Sequence, residues 1–64
     1  GGEPPDDAWR AEVLDRIAVA VTGRALGESS RAAGLALLQA ESTRVELVLA
    51  AATYVLRTPE AQLR

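Results

Sequence analysis

The side chains that could act as nucleophiles or acids in this chain lack the partners that catalysis needs. Ser29, Ser30 and Ser42 carry hydroxyl groups, but the sequence has no histidine, lysine or cysteine that could activate them or take their place. Glu41 and Glu46 are five residues apart, which places them on different faces of a helix, so they make a poor acid–base pair. We therefore predict that the chain is not an enzyme and has no catalytic residue.

Metal and cofactor motifs are also missing from the sequence. With no cysteine and no histidine, a zinc site would need carboxylates alone, and their spacing does not suggest one. The carboxylate metal sites of four-helix bundles usually add an E-x-x-H element, which histidine-free chains cannot supply. Gly23–Gly27 (GRALG) lacks the lysine and the glycine spacing of a phosphate-binding loop. We predict no metal and no cofactor.

The size and composition of the chain favour association. Its 64 residues allow one domain at most, and a core of that size rarely supplies more than about 3–5 kcal/mol. No disulfide can stabilise the fold, because the chain has no cysteine. Since 48% of the residues are hydrophobic, burial between chains is the remaining source of stability.

The charge balance disfavours nucleic acid as a partner. Nine acidic residues face seven basic ones, all arginine, for a net charge of -2, whereas phosphate binding needs a basic stripe. The turn Gly23–Ser30 could belong to a helix-turn-helix, but alanine and leucine follow where base-reading polar residues would be needed. A composition rich in arginine, alanine, valine and leucine is typical of GC-rich genes and predicts a bacterial source.

We expect a cytoplasmic protein that does not enter membranes. The N-terminal residues lack the positive start and apolar core of a secretory signal. Val45–Leu56 is apolar on nearly every side, but its twelve residues are well short of the roughly 20 needed to cross a bilayer.

The apolar pattern predicts an all-α fold organised around one long helix over Ser30–Arg57. Apolar residues recur there every three or four positions and form a seam suited to a partner helix. The seam consists of Leu35, Leu38, Ser42, Val45, Leu49, Ala52 and Leu56. Gly34, inside this helix, predicts either a close approach of another helix or, as an alternative, a kink.

A first helix is predicted over Asp7–Thr22, capped by Asp6 or Asp7, with Trp9 packed against the long helix. Residues 1–6 are interpreted as a flexible linker, and residues 7–64 as the domain.

The turn between the two helices has its own signals. Gly23 is a natural left-handed C-cap, Leu26 could anchor the turn, and Ser29 or Ser30 could cap the long helix. So short a connection predicts antiparallel neighbours, a helical hairpin, and Thr58 and Pro59 start a short terminal helical turn.

We expect an obligate homodimer or higher oligomer, in the form of a homodimeric four-helix bundle. One short helix cannot cover the long one, so the side with Leu47, Ala50, Ala51 and Tyr54 should stay exposed unless chains associate. The predicted interface residues are Leu38, Val45, Leu47, Leu49, Ala52, Tyr54 and Leu56, with parallel or antiparallel pairing left open.

The function predicted from these features is a non-catalytic oligomerisation or protein–protein interaction module, such as a dimerisation or docking element of a larger bacterial protein. A small regulatory protein or subunit that binds a different protein through the same apolar face is the alternative. A helical DNA-binding domain is the third hypothesis and the one that the acidic balance disfavours most.

Overall fold

The computed structural model describes residues 5–62 and contains four helices in that range. They are α1 (Asp7–Thr22), α2 (Glu28–Leu38), α3 (Arg44–Leu56) and the single turn α4 (Pro59–Gln62). Residues 5–62 contain no strand, which confirms the predicted all-α class. Residues 1–4 of the predicted linker, and residues 63 and 64, lie outside the described part.

Helix α1 has the ends that the sequence predicts. Asp6 is its N-cap, and its Oδ1 accepts a hydrogen bond from the backbone N–H of Trp9 at 2.8 Å. Gly23 ends the helix with φ 84°, and its N–H donates to the carbonyl of Val19 at 2.9 Å. Only glycine adopts that left-handed conformation without steric cost. Pro5, placed in the linker by the sequence, is buried.

The prediction of one continuous helix over Ser30–Arg57 is wrong, because the chain breaks after Leu38. Thr43 starts a new helix: its Oγ1 accepts from the N–H of Glu46 at 3.2 Å and donates to Glu46 Oε1 at 2.8 Å. This is a Thr-x-x-Glu N-terminal cap, which satisfies amides that a helix start leaves without intrahelical partners. The predicted two-helix hairpin is therefore replaced by three main helices.

The break has a packing reason. Leu38 and Leu47 are nine residues apart, so at about 100° per residue they would lie on opposite sides of one continuous helix. Both are 0% exposed in the structure. The turn between α2 and α3 redirects the chain so that both leucines reach the same core.

Arg10 of α1 holds this turn in place. Its Nε donates to the carbonyl of Leu38 at 3.2 Å and its Nη2 to the carbonyl of Glu41 at 3.4 Å. Its side chain is only 13% exposed, and Nη1 pairs with Asp7 at 3.1 Å. A hydrogen bond from Gln39, followed by the contact with Arg10, lowers the pKa of Asp7. Carbonyls at the end of α2 thus find donors on another helix.

The core lies where α1, α2 and α3 meet, and α3 packs more extensively on α1 than on α2. Leu26, predicted to anchor the first turn, is 6% exposed and belongs to this core. The fully buried hydrophobic side chains are Leu14, Ala18, Leu38, Leu47, Ala51 and Val55.

Gly34 lies where α2 and α3 approach each other closely, which agrees with the first of its two predicted roles. A Cβ built there would lie 2.7 Å from Cε2 of Tyr54 and 3.1 Å from Cδ2 of Leu14. The Tyr54 ring cannot swing away freely, because its hydroxyl donates to the carbonyl of Ser30 at 2.6 Å. A larger residue would therefore collide with a tethered ring.

The prediction that Ser29 or Ser30 caps the second helix is wrong, because Gly27 is the N-cap. Glu60 of α4 takes over the capping role: its Oε2 accepts from Gly27 N–H at 2.7 Å and its Oε1 from Ser30 Oγ at 3.0 Å. The bond from the Gly27 amide is the main reason that the pKa of Glu60 lies below its ordinary value. One carboxylate therefore ties the start of α2 to the C-terminal turn, whose predicted start at Thr58 and Pro59 is present.

Candidate association surface

The outward side of α3 carries a row of exposed apolar residues. Val45 is 71% exposed, Leu49 63% and Leu56 57%. A helix on the surface of a soluble domain normally turns polar residues outward and one apolar stripe inward. Here α3 has a second apolar stripe beside the one that faces the core. We call it the α3 stripe, and it consists of Val45, Val48, Leu49, Ala52 and Leu56.

The structure separates the predicted interface residues into three groups. Leu38 and Leu47 are 0% exposed and form part of the chain's own core. Tyr54 is half-buried, with its hydroxyl bonded to Ser30. The other four are exposed, Ala52 only partly. Those four are Val45, Leu49, Ala52 and Leu56. Their role as an interface stays a prediction.

The sequence predicts that a single chain cannot cover the side of the long helix that carries Leu47, Ala50, Ala51 and Tyr54. This prediction is wrong. Leu47 and Ala51 are 0% exposed, and Ala50 is half-buried. Because the second half of the expected long helix folds back as α3, both α1 and α2 cover that side. Sequence reasoning also omitted two exposed apolar residues, Val48 at 40% and Leu37 at 58%.

Leu49 stands as a ridge between two grooves. One groove, of about 320 Å³, runs toward α1 and is lined only by apolar surface. Its lining residues are Trp9, Arg44, Val45, Val48 and Leu49. The other, of about 430 Å³, runs toward the end of α2. Its apolar lining includes Leu37, Ala40, Ala50 and Tyr54 as well as Leu49. A ridge flanked by grooves is the surface form that packs well against another helix.

Trp9 forms part of the first groove. Its ring is half-buried and packs against the core, and the guanidinium carbon of Arg44 lies 5.0 Å from the ring centroid. The predicted packing of Trp9 against the long helix is thus present as contact with the start of α3, which occupies the second half of the range expected for that helix. The arginine stacks over the π-face in a cation–π arrangement.

Polar residues run along one edge of the α3 stripe. Glu46, Thr53 and Arg57 follow each other at helical spacing on that edge, and all three are exposed. Thr53 bonds back to the carbonyl of Leu49 at 2.9 Å, as hydroxyls in helices often do. The stripe therefore has an apolar centre and a charged border of both signs.

Three arginines outside α3 are engaged with neighbours in the same chain. Arg16 pairs with Glu12 at 3.0 Å, and Arg31 pairs with Asp15 at 2.9 Å. The hydrogen bond from Arg31 to Asp15 also raises the pKa of Arg31 above its ordinary value. With Arg10 at the α2–α3 turn, these contacts divide the positive charge among separate local pairs, which is unlike the continuous basic stripe of nucleic-acid-binding domains.

The hydroxyl of Ser30 and the carboxylate of Glu60 have a structural role. Ser30 donates to Glu60, but that carboxylate also accepts from the Gly27 amide, and its lowered pKa makes it a weak base. Ser42 is exposed in the turn before α3, next to Thr43, the N-cap of that helix.

In residues 5–62 there is no group of three or more acidic side chains placed to hold a metal ion. None of the helices in the same range has the length and apolarity needed to cross a membrane.

Neither a protein-family model, nor a curated protein sequence, nor a solved structure matches this chain. Among the features described above, the α3 stripe is the candidate functional surface.

Proposed function

We propose that this chain is a non-catalytic association module, which pairs with a second copy of itself through the α3 stripe. In a larger polypeptide, such a module would bring two of the chains that carry it together. The exposure of Val45, Leu49 and Leu56, three large apolar residues on one helix face, is the observation that carries the proposal.

The way the fold is built supports this interpretation. The chain already has a closed core in which Leu14, Leu38, Leu47 and Val55 are fully buried. The α3 stripe is not needed for that core, yet it continues the apolar spacing over the whole length of the helix. Apolar surface that a fold leaves outside its core, and that a polar edge borders, is typical of an interaction site.

The composition of the surface favours a protein partner over nucleic acid. Three of the arginines pair with acidic side chains of the same chain: Arg10 with Asp7, Arg16 with Glu12 and Arg31 with Asp15. The net charge of -2 would also repel a phosphate backbone.

The test is the mass of the protein in solution, measured by sedimentation equilibrium over a range of concentrations, for the parent chain and for Leu49→Glu. The parent should be a dimer at tens of micromolar. By symmetry, the substitution removes two buried leucines per dimer. At roughly 1.5–3 kcal/mol for each leucine, the dissociation constant should rise by more than about a hundredfold.

Leu49→Glu should keep its helix content, because Leu49 lies outside the core of the single chain. This differs from the obligate oligomer expected from the sequence, in which a dissociated chain would largely unfold. Val19→Glu is the matched control, since Val19 is 51% exposed on α1 and is not part of the stripe, and this variant should remain dimeric. Leu47→Glu, in contrast, should unfold the chain.

A parent chain that is monomeric at tens of micromolar would refute self-association. If Leu49→Glu were as dimeric as the parent, the surface would be the wrong one. A monomeric parent that binds a different protein through the stripe would favour the regulatory subunit instead.

A further inference from the structure

Four positions of the α3 stripe, Val45, Leu49, Ala52 and Leu56, have the same spacing when they are counted from either end of the helix. Val45 and Leu56 are the same number of residues away from the midpoint between Leu49 and Ala52, on opposite sides of it. A two-fold axis in the interface, at the level of that midpoint and perpendicular to the helix, would place Val45 of one chain opposite Leu56 of the other. Leu49 would then face Ala52, a large side chain opposite a small one. This fit requires the two helices to run antiparallel.

We propose that two copies pair through α3 in an antiparallel, two-fold symmetric arrangement with this register. The inference rests on the proposed function, because it names the geometry of the same association surface.

The charges on the edge of the stripe point to the same orientation. Glu46 and Arg57 lie on the same edge, and a two-fold axis brings the equivalent edges of two antiparallel helices together. In the proposed register, Glu46 would lie about 3 Å along the axis from Arg57 of the second copy, which is within reach of both side chains. Each dimer would form this pair twice.

A parallel arrangement loses this match. With the helices side by side in register, Glu46 and Arg57 of the second copy would be eleven residues apart, or about 16 Å along the axis. The large side chains would also face themselves, Val45 against Val45, Leu49 against Leu49 and Leu56 against Leu56, with Ala52 against Ala52 between the two leucine levels. Large residues would then meet at three levels and leave a gap at the fourth.

The remaining charges do not oppose the antiparallel register. Arg44 would reach the level of Arg57 of the second copy, but it lies on the other edge of the stripe, stacked on Trp9. Glu46 already accepts from the Thr43 hydroxyl through Oε1, and its second carboxylate oxygen can accept from a guanidinium.

Cysteine cross-linking tests the orientation cleanly, because the chain has no cysteine of its own. Val45→Cys and Leu56→Cys are prepared separately, mixed in equal amounts and oxidised gently, and the disulfide-linked products are identified by mass. Antiparallel pairing should give the mixed product, in which one variant is linked to the other, as the main species, at least severalfold above either self-linked product. Ala36→Cys, an exposed position on α2, is the control and should remain largely unlinked.

The outcomes separate the two proposals. A dimeric parent whose Val45→Cys variant links mainly to itself would overturn the antiparallel geometry and leave self-association intact. A dimeric parent with no cross-link from either variant would place the interface elsewhere and overturn both the geometry and the surface. A monomeric parent would refute the proposed function itself.

Charge variants provide a second readout. Arg57→Glu should weaken dimerisation by about threefold to tenfold at low salt, because it sets two acidic pairs against each other. Adding Glu46→Arg to the same chain should restore the affinity, since the pairs re-form with exchanged signs. Arg16→Glu, which makes the same change of charge at an exposed position of α1 outside the stripe, should leave the dissociation constant near that of the parent. Weakening by Arg57→Glu without rescue would overturn the proposed pair.

Discussion

Gly34→Ala tests how closely α2 and α3 approach each other. On an unobstructed helix this change would stabilise the protein by about 1 kcal/mol, because alanine is the better helix former. Here the new methyl group would lie 2.7 Å from Cε2 of Tyr54 and 3.1 Å from Cδ2 of Leu14. Forcing an extra carbon into a packed site typically costs about 1–3 kcal/mol.

The two effects leave a net loss of about 1 kcal/mol in the free energy of unfolding. For a domain of this size, that corresponds to a Tm about 4–8 °C lower. Thermal and urea unfolding, followed by circular dichroism at one fixed protein concentration, would measure it. Ala36→Gly is the matched control, because Ala36 is exposed on the same helix and its change should cost only the propensity difference of about 1 kcal/mol.

The reasoning also predicts a dependence on the tether of the ring. Tyr54→Phe removes the hydrogen bond to Ser30 and lets the ring shift, so Gly34→Ala should cost less in that background than in the parent. If Gly34→Ala raised the Tm instead, the close approach at Gly34 would be refuted, whatever the double variant showed.

Two further predictions concern the contacts that join the helices. Arg10→Met keeps the apolar stem but removes the donors to the carbonyls of Leu38 and Glu41, so it should lower the free energy of unfolding by about 1–3 kcal/mol; Arg16→Met, on an exposed pair, should change it by less than about 1 kcal/mol. The pKa of Glu60 is lower in the folded chain than its ordinary value. The stability that the Glu60 carboxylate contributes is therefore complete above the ordinary pKa, and it is lost as the pH falls through the lower pKa of the folded chain. The Tm of the parent should therefore fall more steeply on acidification than that of Glu60→Gln, and equal slopes would contradict this role.

The features that the sequence revealed correctly are those that depend on neighbours in the chain. The N-cap at Asp6, the left-handed Gly23 and the start of the terminal turn at Thr58 all follow from local stereochemistry. Leu26 and Gly34 were also interpreted correctly, because an apolar residue between two glycines and a glycine within a helix each allow few explanations.

The break between α2 and α3 was missed although its signal is present. Thr43-Arg44-Val45-Glu46 has the Thr-x-x-Glu pattern of a helix start, but the uninterrupted apolar spacing on both sides concealed it. Helix propensity alone cannot decide between one helix and two. The choice depends on whether Leu38 and Leu47 must share a core, which only the tertiary arrangement shows.

The same error explains which part of the candidate surface was predictable. The seam drawn along one helix joined Leu35 and Leu38 to the residues of the α3 stripe. Once the chain turns at residues 39–43, the first part of the seam faces inward and the second part faces outward. The exposed residues Val45, Leu49 and Leu56 were therefore identified, whereas Leu38 and Leu47 were assigned to an interface although they belong to the core.

The extensive packing of α3 on α1 has a consequence for how the chain folds. These two helices are separated by all of α2 and both turns, so the ends of a long loop must meet before the part of the core between α1 and α3 can form. A nascent chain emerging from the ribosome could pack α1 only against α2, and part of the apolar side of each helix would stay unprotected until α3 arrived. Folding should then occur in a single late step, with the amides of α1 and α3 becoming protected from hydrogen exchange together.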